Sequence, residues 1–317
     1  MRGNLRRRLR PFYPQLLLAA VFLLFVITLS FLSDHFLTWK NIKNIAEANS
    51  FRLLLALGMT VVMSSAAIDL SAGSIVSLSG IIMAGLIGVG WDVSLAIVIG
   101  LIGGIVMGAL NGYVIAKSRL SPFIVTLAFM SIYRGLSLIV TEGIPITKLP
   151  AAFRFWGRSY IDKLNPPLII AAVVFLFLIP FMSRTKPGQY ILASGGSEEA
   201  LRRQGVNTSF YRVLAHAMLG LTAAITGLIV TARLNSAEAN AGIGMDIDAI
   251  TAVIMGGTPL SGGRAHLVGS LIAVLLLGTI RNGLTILSVS SYYQQFFSGV
   301  LLLVSVLLAK RREQTFI

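Results

Sequence analysis

The residues able to do chemistry in this chain are few and fall into short clusters. Ser197-Glu198-Glu199-Ala200-Leu201-Arg202-Arg203-Gln204-Gly205 reads as a short, fully capped helix. Ser197 can accept from the first-turn N–H groups, and Glu198 and Glu199 meet the positive end of the dipole. Arg202 and Arg203 follow those acids at i+4, and Gly205 suits the left-handed position beyond the last turn. Such a helix is stable in water and presents paired charges, a handle for a soluble partner. A second cluster, Asp69-Leu70-Ser71-Ala72-Gly73-Ser74, puts a carboxylate and a hydroxyl where either can cap the helix that follows. Gly73 there allows a close backbone approach. The cluster is either an ordinary capped turn or a working part of the molecule.

Gly256-Gly257-Thr258-Pro259-Leu260-Ser261-Gly262-Gly263-Arg264 must break its helix. Irregular backbone in a lipid-spanning protein is buried in protein or lines an aqueous cavity, so this segment is either an inner turn or a pointer to a pathway. Both turns carry Leu-Ser-x-Gly, a faint hint of an internal repeat. Asn111-Gly112 and Asn282-Gly283 place amides in apolar runs, where they join helices or face a polar path. Thr126, Ser131 and Arg134, roughly a turn apart, would make a polar stripe; its alternative is a structural ion pair between Arg134 and an outer acid.

Other chemistry is missing. There is no Gly-x-x-x-x-Gly-Lys-Ser/Thr phosphate cradle and no Gly-x-Ser-x-Gly nucleophile turn. His35, His216 and His266 lie in different regions, and the chain has no cysteine, so neither a metal-ligand cluster nor thiolate catalysis is expected. Few ionisable residues approach the apolar runs: Asp69, Arg134, Asp246, Asp248 and Arg281. A proton-coupled carrier or membrane-embedded hydrolase would need more of them. An external energy source is the simplest expectation, against the alternative of a stand-alone, uncoupled carrier.

The elements that must position these residues are membrane spans. Hydrophobic residues make up 56% of the chain, charged residues only 12%, and the mean hydropathy is +0.84. Soluble domains carry about 25% charged residues. Ten apolar runs are expected to cross: about 14–32, 52–67, 73–90, 93–116, 122–140, 167–182, 213–232, 248–259, 266–287 and 292–309. With the basic N-terminus (Arg2, Arg6, Arg7, Arg8, Arg10) inside, ten spans put 16 of the 26 Lys and Arg inside, including Lys117, Arg119, Arg184, Lys186, Arg264 and Lys310-Arg311-Arg312. Both termini are then cytoplasmic, as is the polar island Ser183–Arg212. The net charge of +14 follows from lipid orientation rather than from nucleic-acid binding. The first run is too long for a cleaved signal and reads as a retained helix. One transmembrane domain, 1–317, is expected. It is an all-α membrane protein with 183–212 as a polar connector.

Several motifs recur in order with family spacing. They are Asp69-Leu70-Ser71-x-Gly73-Ser74, Ser121-Pro122-Phe123-Ile124-Val125-Thr126-Leu127-Ala128, Arg134-Gly135-Leu136, Gly188-x-Tyr190 through Gly195-Gly196-Ser197-Glu198-Glu199-Ala200, and Asp248-Ala249-Ile250 through Gly256-Gly257-Thr258-x-Leu260-Ser261-Gly262-Gly263. Over about residues 40–305 the chain resembles the ribose-type ABC importer permeases, the membrane subunits for ribose, xylose, arabinose, galactose and related sugars. The resemblance implies about ten transmembrane helices in a type II, vitamin-B12-importer-like architecture in the bacterial inner membrane. It further implies a second permease copy, a periplasmic solute-binding protein and a tandem ATP-binding cassette subunit that holds ATP and magnesium, this chain binding no cofactor. Gly195, Gly196, Glu198, Glu199 and Ala200, with Ser197 among them, fall on the coupling motif that docks onto the ATPase, and all but Ser197 match it. Ser197 departs from the usual Asn, and Arg202-Arg203-Gln204 from the commoner Arg-Leu-Ser. Related permeases in the class carry nucleosides, an autoinducer or branched-chain amino acids. A translocation pathway would draw on Asp69, Ser71, Asn111, Thr126, Arg134, Gly256, Gly257 and Asn282.

Overall fold

The computed structural model describes residues 13–290, apart from 119, 160, 162 and 163, and part of 293–307. The basic N-terminus, Arg119 and Lys310-Arg311-Arg312 lie outside the described residues, as does much of the last expected span; its described positions are helical. The helices are α1 (Tyr13–Leu32), α2 (Trp39–Ser64), α3 (Ala72–Gly88), α4 (Val93–Ser118), α5 (Pro122–Thr141), α6 (Ala151–Arg158), α7 (Pro166–Arg184), α8 (Lys186–Arg203), α9 (Thr208–Leu234), α10 (Met245–Met255) and α11 (Leu267–Ile286). Six of them, α2, α4, α5, α7, α9 and α11, are long and apolar enough to cross a membrane. The chain is a multi-pass, helical membrane protein. The expected all-α fold also holds a small ribbon, β1 (Ile146–Thr147) antiparallel to β2 (Ser236–Ala237), with Ile146 opposite Ala237.

α9 is the central post, packed on α2, α3 and α4. It approaches α4 closely because glycines recur there at i+4, putting Gly104, Gly108 and Gly112 on one ridge. A Cβ on Gly108 would stand 2.1 Å from the His216 carbonyl oxygen, and one on Gly220 would stand 2.1 Å from that of Gly104. Backbone meets backbone along this crossing. Dispersion contacts hold it, since lipid gives apolar faces no reason to associate.

Three boundaries differ from the hydropathy reading. α2 begins thirteen residues early, at Trp39, where the Thr38 hydroxyl accepts from the Asn41 N–H at 3.4 Å. Its polar first half lies outside the expected run, yet Asn41 is paired inside the bundle, exchanging two side-chain hydrogen bonds with Asn282, at 2.9 and 2.8 Å. α8 adds a helical stretch from Lys186, despite the glycines, because the Thr185 hydroxyl caps Gly188 N–H at 3.2 Å and Pro187 sits in the first turn. α10 has only 11 residues, about 16 Å of helix, too short to cross alone. The irregular strand 235–244 precedes it and runs back along α3, where Gly242 N–H donates to the Ser77 hydroxyl at 3.1 Å.

Gly108→Val should therefore lower the thermal stability of the detergent-solubilised protein by about 3 kcal/mol, the upper range for overpacking a tight core. Gly135, which has nothing within 4 Å of an added Cβ, is the control. A Gly135→Ala protein should be as stable as the parent or slightly more so, and equal losses in the two variants would remove the crossing from its central place.

Candidate functional site

Two constellations stand out, one at an end of the bundle and one inside it. At the end, α8 is two helices merged across a kink at Ser197, whose backbone is extended (φ −158°, ψ 97°). The Ser197 hydroxyl accepts from the Ala200 N–H at 3.3 Å, the N-cap expected of it. The helix closes with Gly205 at φ +80°, its N–H on Arg202 and that of Val206 on Leu201, a Schellman ending. Both expected i+4 ion pairs form, Glu198 with Arg202 at 3.0 Å and Glu199 with Arg203.

The two acids differ in their surroundings. Glu199 and Arg203 are 76% and 78% exposed, so their pair contributes little stability and leaves both charges presentable. Glu198 is turned inward, where Arg212 pairs with its second oxygen and the Thr208 hydroxyl donates to its first at 3.1 Å. Burial alone would raise the Glu198 carboxyl; Arg212 and the hydrogen bonds from Thr208, Arg202 and Arg212 outweigh it and hold it below the ordinary carboxylate value. Glu198 thus ties the short helix to the start of α9. Gly195 ties it to the interior: a Cβ there would stand 2.1 Å from the Ser64 carbonyl oxygen and 2.6 Å from Gly263 N. That same Ser64 carbonyl accepts from Gly263 N–H at 2.9 Å. Gly262 and Gly263 reach this contact with φ of +77° and +80°, which only glycine adopts cheaply. Gly196, Ser197 and Ala200 face open space.

Inside the bundle, the turn from Ser65 to Ser71 is held by its own side chains and by those of two helices, α4 and α5. Asp69 Oδ1 accepts from the Ser71 N–H (2.8 Å) and hydroxyl (2.6 Å), and Asp69 Oδ2 accepts from the Asn111 amide at 3.0 Å. The same amide donates to Ser71 Oγ at 2.7 Å, and the Tyr133 hydroxyl reaches Asn111 Oδ1 at 2.9 Å. Asp69, Ser71 and Asn111 are fully buried. Ser71 occupies the N-cap of α3 but makes no side-chain cap, because its hydroxyl is committed to Asp69. Gly73 makes the expected close approach, 2.3 Å from a would-be Cβ to the Gly242 oxygen.

The polar stripe on α5 is corrected. Thr126 is buried and donates to the Ile68 carbonyl at 3.2 Å, whereas Ser131 is exposed on another face. The inward polar face is Thr126, Tyr133, Ser137 and Thr141, a helical spacing in which Tyr133 carries the central contact. Arg134 hydrogen-bonds the Ala239 carbonyl, and among the described residues it closes no direct ion pair with an outer acid. Asn282 pairs with Asn41, and Gly256 packs backbone to backbone on Gly269, a would-be Cβ standing 2.5 Å from the Gly269 carbonyl carbon. Of the eight candidate pathway residues, the fold brings together Asp69, Ser71 and Asn111, with Thr126 on the adjoining carbonyl. Arg134, Gly256, Gly257 and Asn282 lie apart from them. Sequence reasoning missed Tyr133 and Thr208. Only Tyr133 carried a signal, at i+7 from Thr126.

Asn111→Leu should cost about 3 kcal/mol by leaving the buried Asp69 carboxylate short of a donor, while Tyr133→Phe costs about 1. Equal melting temperatures for parent and Asn111→Leu protein would dissolve the network. For Glu198 the sign is fixed by its lowered folded value: its contribution is present at neutral pH and disappears as pH falls through that value. Protection of the 198–212 amides, measured as exchange relative to the intrinsic rate at each pH, should therefore fall as pH drops through the carboxylate range, and an Arg212→Gln protein should lose less protection over that range.

A family model described as the permease component of branched-chain amino acid transport systems matches residues 41–306. The ribose import permease of Bacillus subtilis (strain 168) is 42% identical over 289 residues, covering 90% of both chains. That of Escherichia coli (strain K12) is 37% identical over 295 residues, 92% of both chains. The D-allose transport system permease of Escherichia coli (strain K12) is 36% identical over 277 residues, 87% of this chain and 85% of the relative. The ordered motifs and the polar connector are thus those of a known class, and the chain belongs to the branched-chain amino acid transport system permease family, as a membrane-spanning permease subunit of the ribose-type ABC importers.

Proposed function

We propose that this chain forms the membrane pathway of an ATP-driven importer that carries a monosaccharide across the bacterial inner membrane. Ribose and allose permeases are its relatives over about nine-tenths of its length, which supports a sugar as cargo. The mechanistic reading rests on one observation: the exposed, capped helix at 197–205 is braced against the interior through Gly195 and Glu198. A brace of this kind lets a force on the helix reach the α2 end at Ser64 and the loop Gly256–Gly263 together.

In this reading about ten transmembrane helices adopt the type II architecture, with both termini and the 183–212 segment cytoplasmic. The chain pairs with a second permease copy, a periplasmic solute-binding protein delivers the sugar, and a tandem cassette subunit hydrolyses ATP with magnesium. The chain itself has no ATPase site and binds no cofactor. Gly195 through Ala200 form the ATPase-coupling element, with Gly196, Ser197, Glu199 and Ala200 on the docking side and Gly195 and Glu198 on the transmitting side. Directionality requires that the cassette bind one permease state better than the other. The buried turn at Asp69, Ser71 and Asn111, with Thr126, is the two-state element closest to that transmission, and Arg134, Gly256, Gly257 and Asn282 border the path.

The charge reversal Glu199→Lys tests this division. It should reduce ATP-dependent ribose uptake and cassette co-purification by at least about tenfold, the effect of losing an interface anchor, while insertion and melting temperature stay unchanged. Unchanged uptake would sink the docking role. Glu198→Lys should instead lower the melting temperature, because Arg212 is left half-buried without its partner.

A further inference from the structure

The capped helix is tied to α2 and α9, and a third tie runs back along the chain into α7. α7 ends at Arg184 and α8 begins at Lys186; Thr185 alone separates them, with an extended backbone (φ −94°, ψ 150°). A corner this tight leaves the last carbonyls of α7 without helical donors. Three of them find donors within the corner. The Thr185 hydroxyl donates to the Phe181 carbonyl at 2.6 Å and accepts from the Gly188 N–H at 3.2 Å, closing one helix and opening the next. The Gln189 amide reaches back and donates to the carbonyls of Met182 and Ser183, both at 3.0 Å. Gly188 lets the two backbones meet, since a Cβ there would stand 2.2 Å from the Phe181 oxygen.

The chain on either side of this corner is weaker. Pro180 lies inside α7, one residue before the clamped carbonyls. It has no N–H to give the Leu176 carbonyl, and its ring crowds that oxygen, so the helix yields most easily there. On the far side, α8 leaves helical geometry at Ser197. Between the two breaks Ile191 is fully buried, and the Tyr190 ring lies 4.9 Å from that of Tyr211 on α9. Residues 181–196 are therefore a stiff piece with a soft joint at each end. The capped helix sits beyond the second joint.

We infer that 181–196 is a lever arm between the capped helix and α7, with Pro180 as its pivot and Gln189 as the positioning residue that keeps it stiff. The inference rests on the importer reading and adds α7 to the path by which movement of the cassette enters the bundle. Gln189 is an exposed residue that acts only through the carbonyls it holds. The Ser183 carbonyl has particular need of it, because its i+4 residue is Pro187, which has no N–H. Without the amide the corner opens, and movement of the capped helix bends the chain at Thr185 instead of turning α7.

The test follows sugar uptake and ATP hydrolysis together in the complete importer, reconstituted with its receptor and cassette, with ribose and allose as probes. Gln189→Glu keeps the shape but turns the donor nitrogen into an acceptor oxygen facing two carbonyls. It should cut the sugar moved per ATP hydrolysed about tenfold, the worth of two ordinary hydrogen bonds, with cassette co-purification unchanged. Gln189→Arg supplies donors again and should restore the ratio. A residue that merely supports the fold would lower uptake and hydrolysis in step, leaving the ratio at the parent value. Pro180→Ala should raise the melting temperature by completing α7 and still slow uptake, because the pivot is stiffened. A parent-like ratio in Gln189→Glu, or a loss that Gln189→Arg does not restore, overturns the positioning role. Parent-like uptake by Pro180→Ala overturns the pivot. Both of those results leave the importer reading standing, whereas ATP-dependent uptake of neither sugar by the parent overturns that reading and the arm with it.

Discussion

Backbone groups freed at a helix break have no water to turn to inside a membrane protein, and that constraint shapes this molecule. The turn at Ser65–Ser71 and the irregular strand at 235–244 both interrupt the bundle, and each is satisfied by the helices beside it. Gly242 donates to Ser77, Gly73 and Gly242 touch through their backbones, and Arg134 closes on the Ala239 carbonyl. Asp69 then gathers the Ser71 N–H and hydroxyl on one oxygen and the Asn111 amide on the other. Remove any of these, and a polar group is stranded where its desolvation is uncompensated.

The close crossing of α4 on α9 supplies the rigid reference for those breaks. A glycine ridge fixes that contact at backbone distance, so α9 cannot slide without separating carbonyls from α-carbons. Its first turn carries Thr208 and Arg212, the residues that grip Glu198. The exposed helix at 197–205 is consequently braced twice, through Glu198 to the central post and through Gly195 to Ser64 and the glycine loop. A displaced helix pulls on both. The exposed pair Glu199 and Arg203 takes no part in this bracing, which separates what can meet a partner from what transmits the contact.

Much of this was legible in the residues. The cap at Ser197, both i+4 pairs and the left-handed Gly205 follow from local rules and reappear as read. The central spans follow from apolar runs. The first half of α2 was not legible, because Asn41 and Asn49 argue against a span until Asn282 and Gly278 are seen packed on them. The stripe on α5 failed for a similar reason: spacing alone cannot say which face turns inward, and Tyr133 rather than Ser131 lies on it. The Leu-Ser-x-Gly turns looked alike, and their segments meet in space, with Gly262 against Ala66 and Gly263 on Ser64.

By itself the sequence determined the class of molecule, the short capped helix and the family, since each depends on composition, nearest-neighbour spacing or ordered motifs. Tertiary structure alone decided which of two adjacent acids is a brace and which is a handle. It also decided that Asp69, Ser71 and Asn111 form one sealed network. These residues are far apart along the chain, and what each can do is set by the low-polarity surroundings that only packing creates.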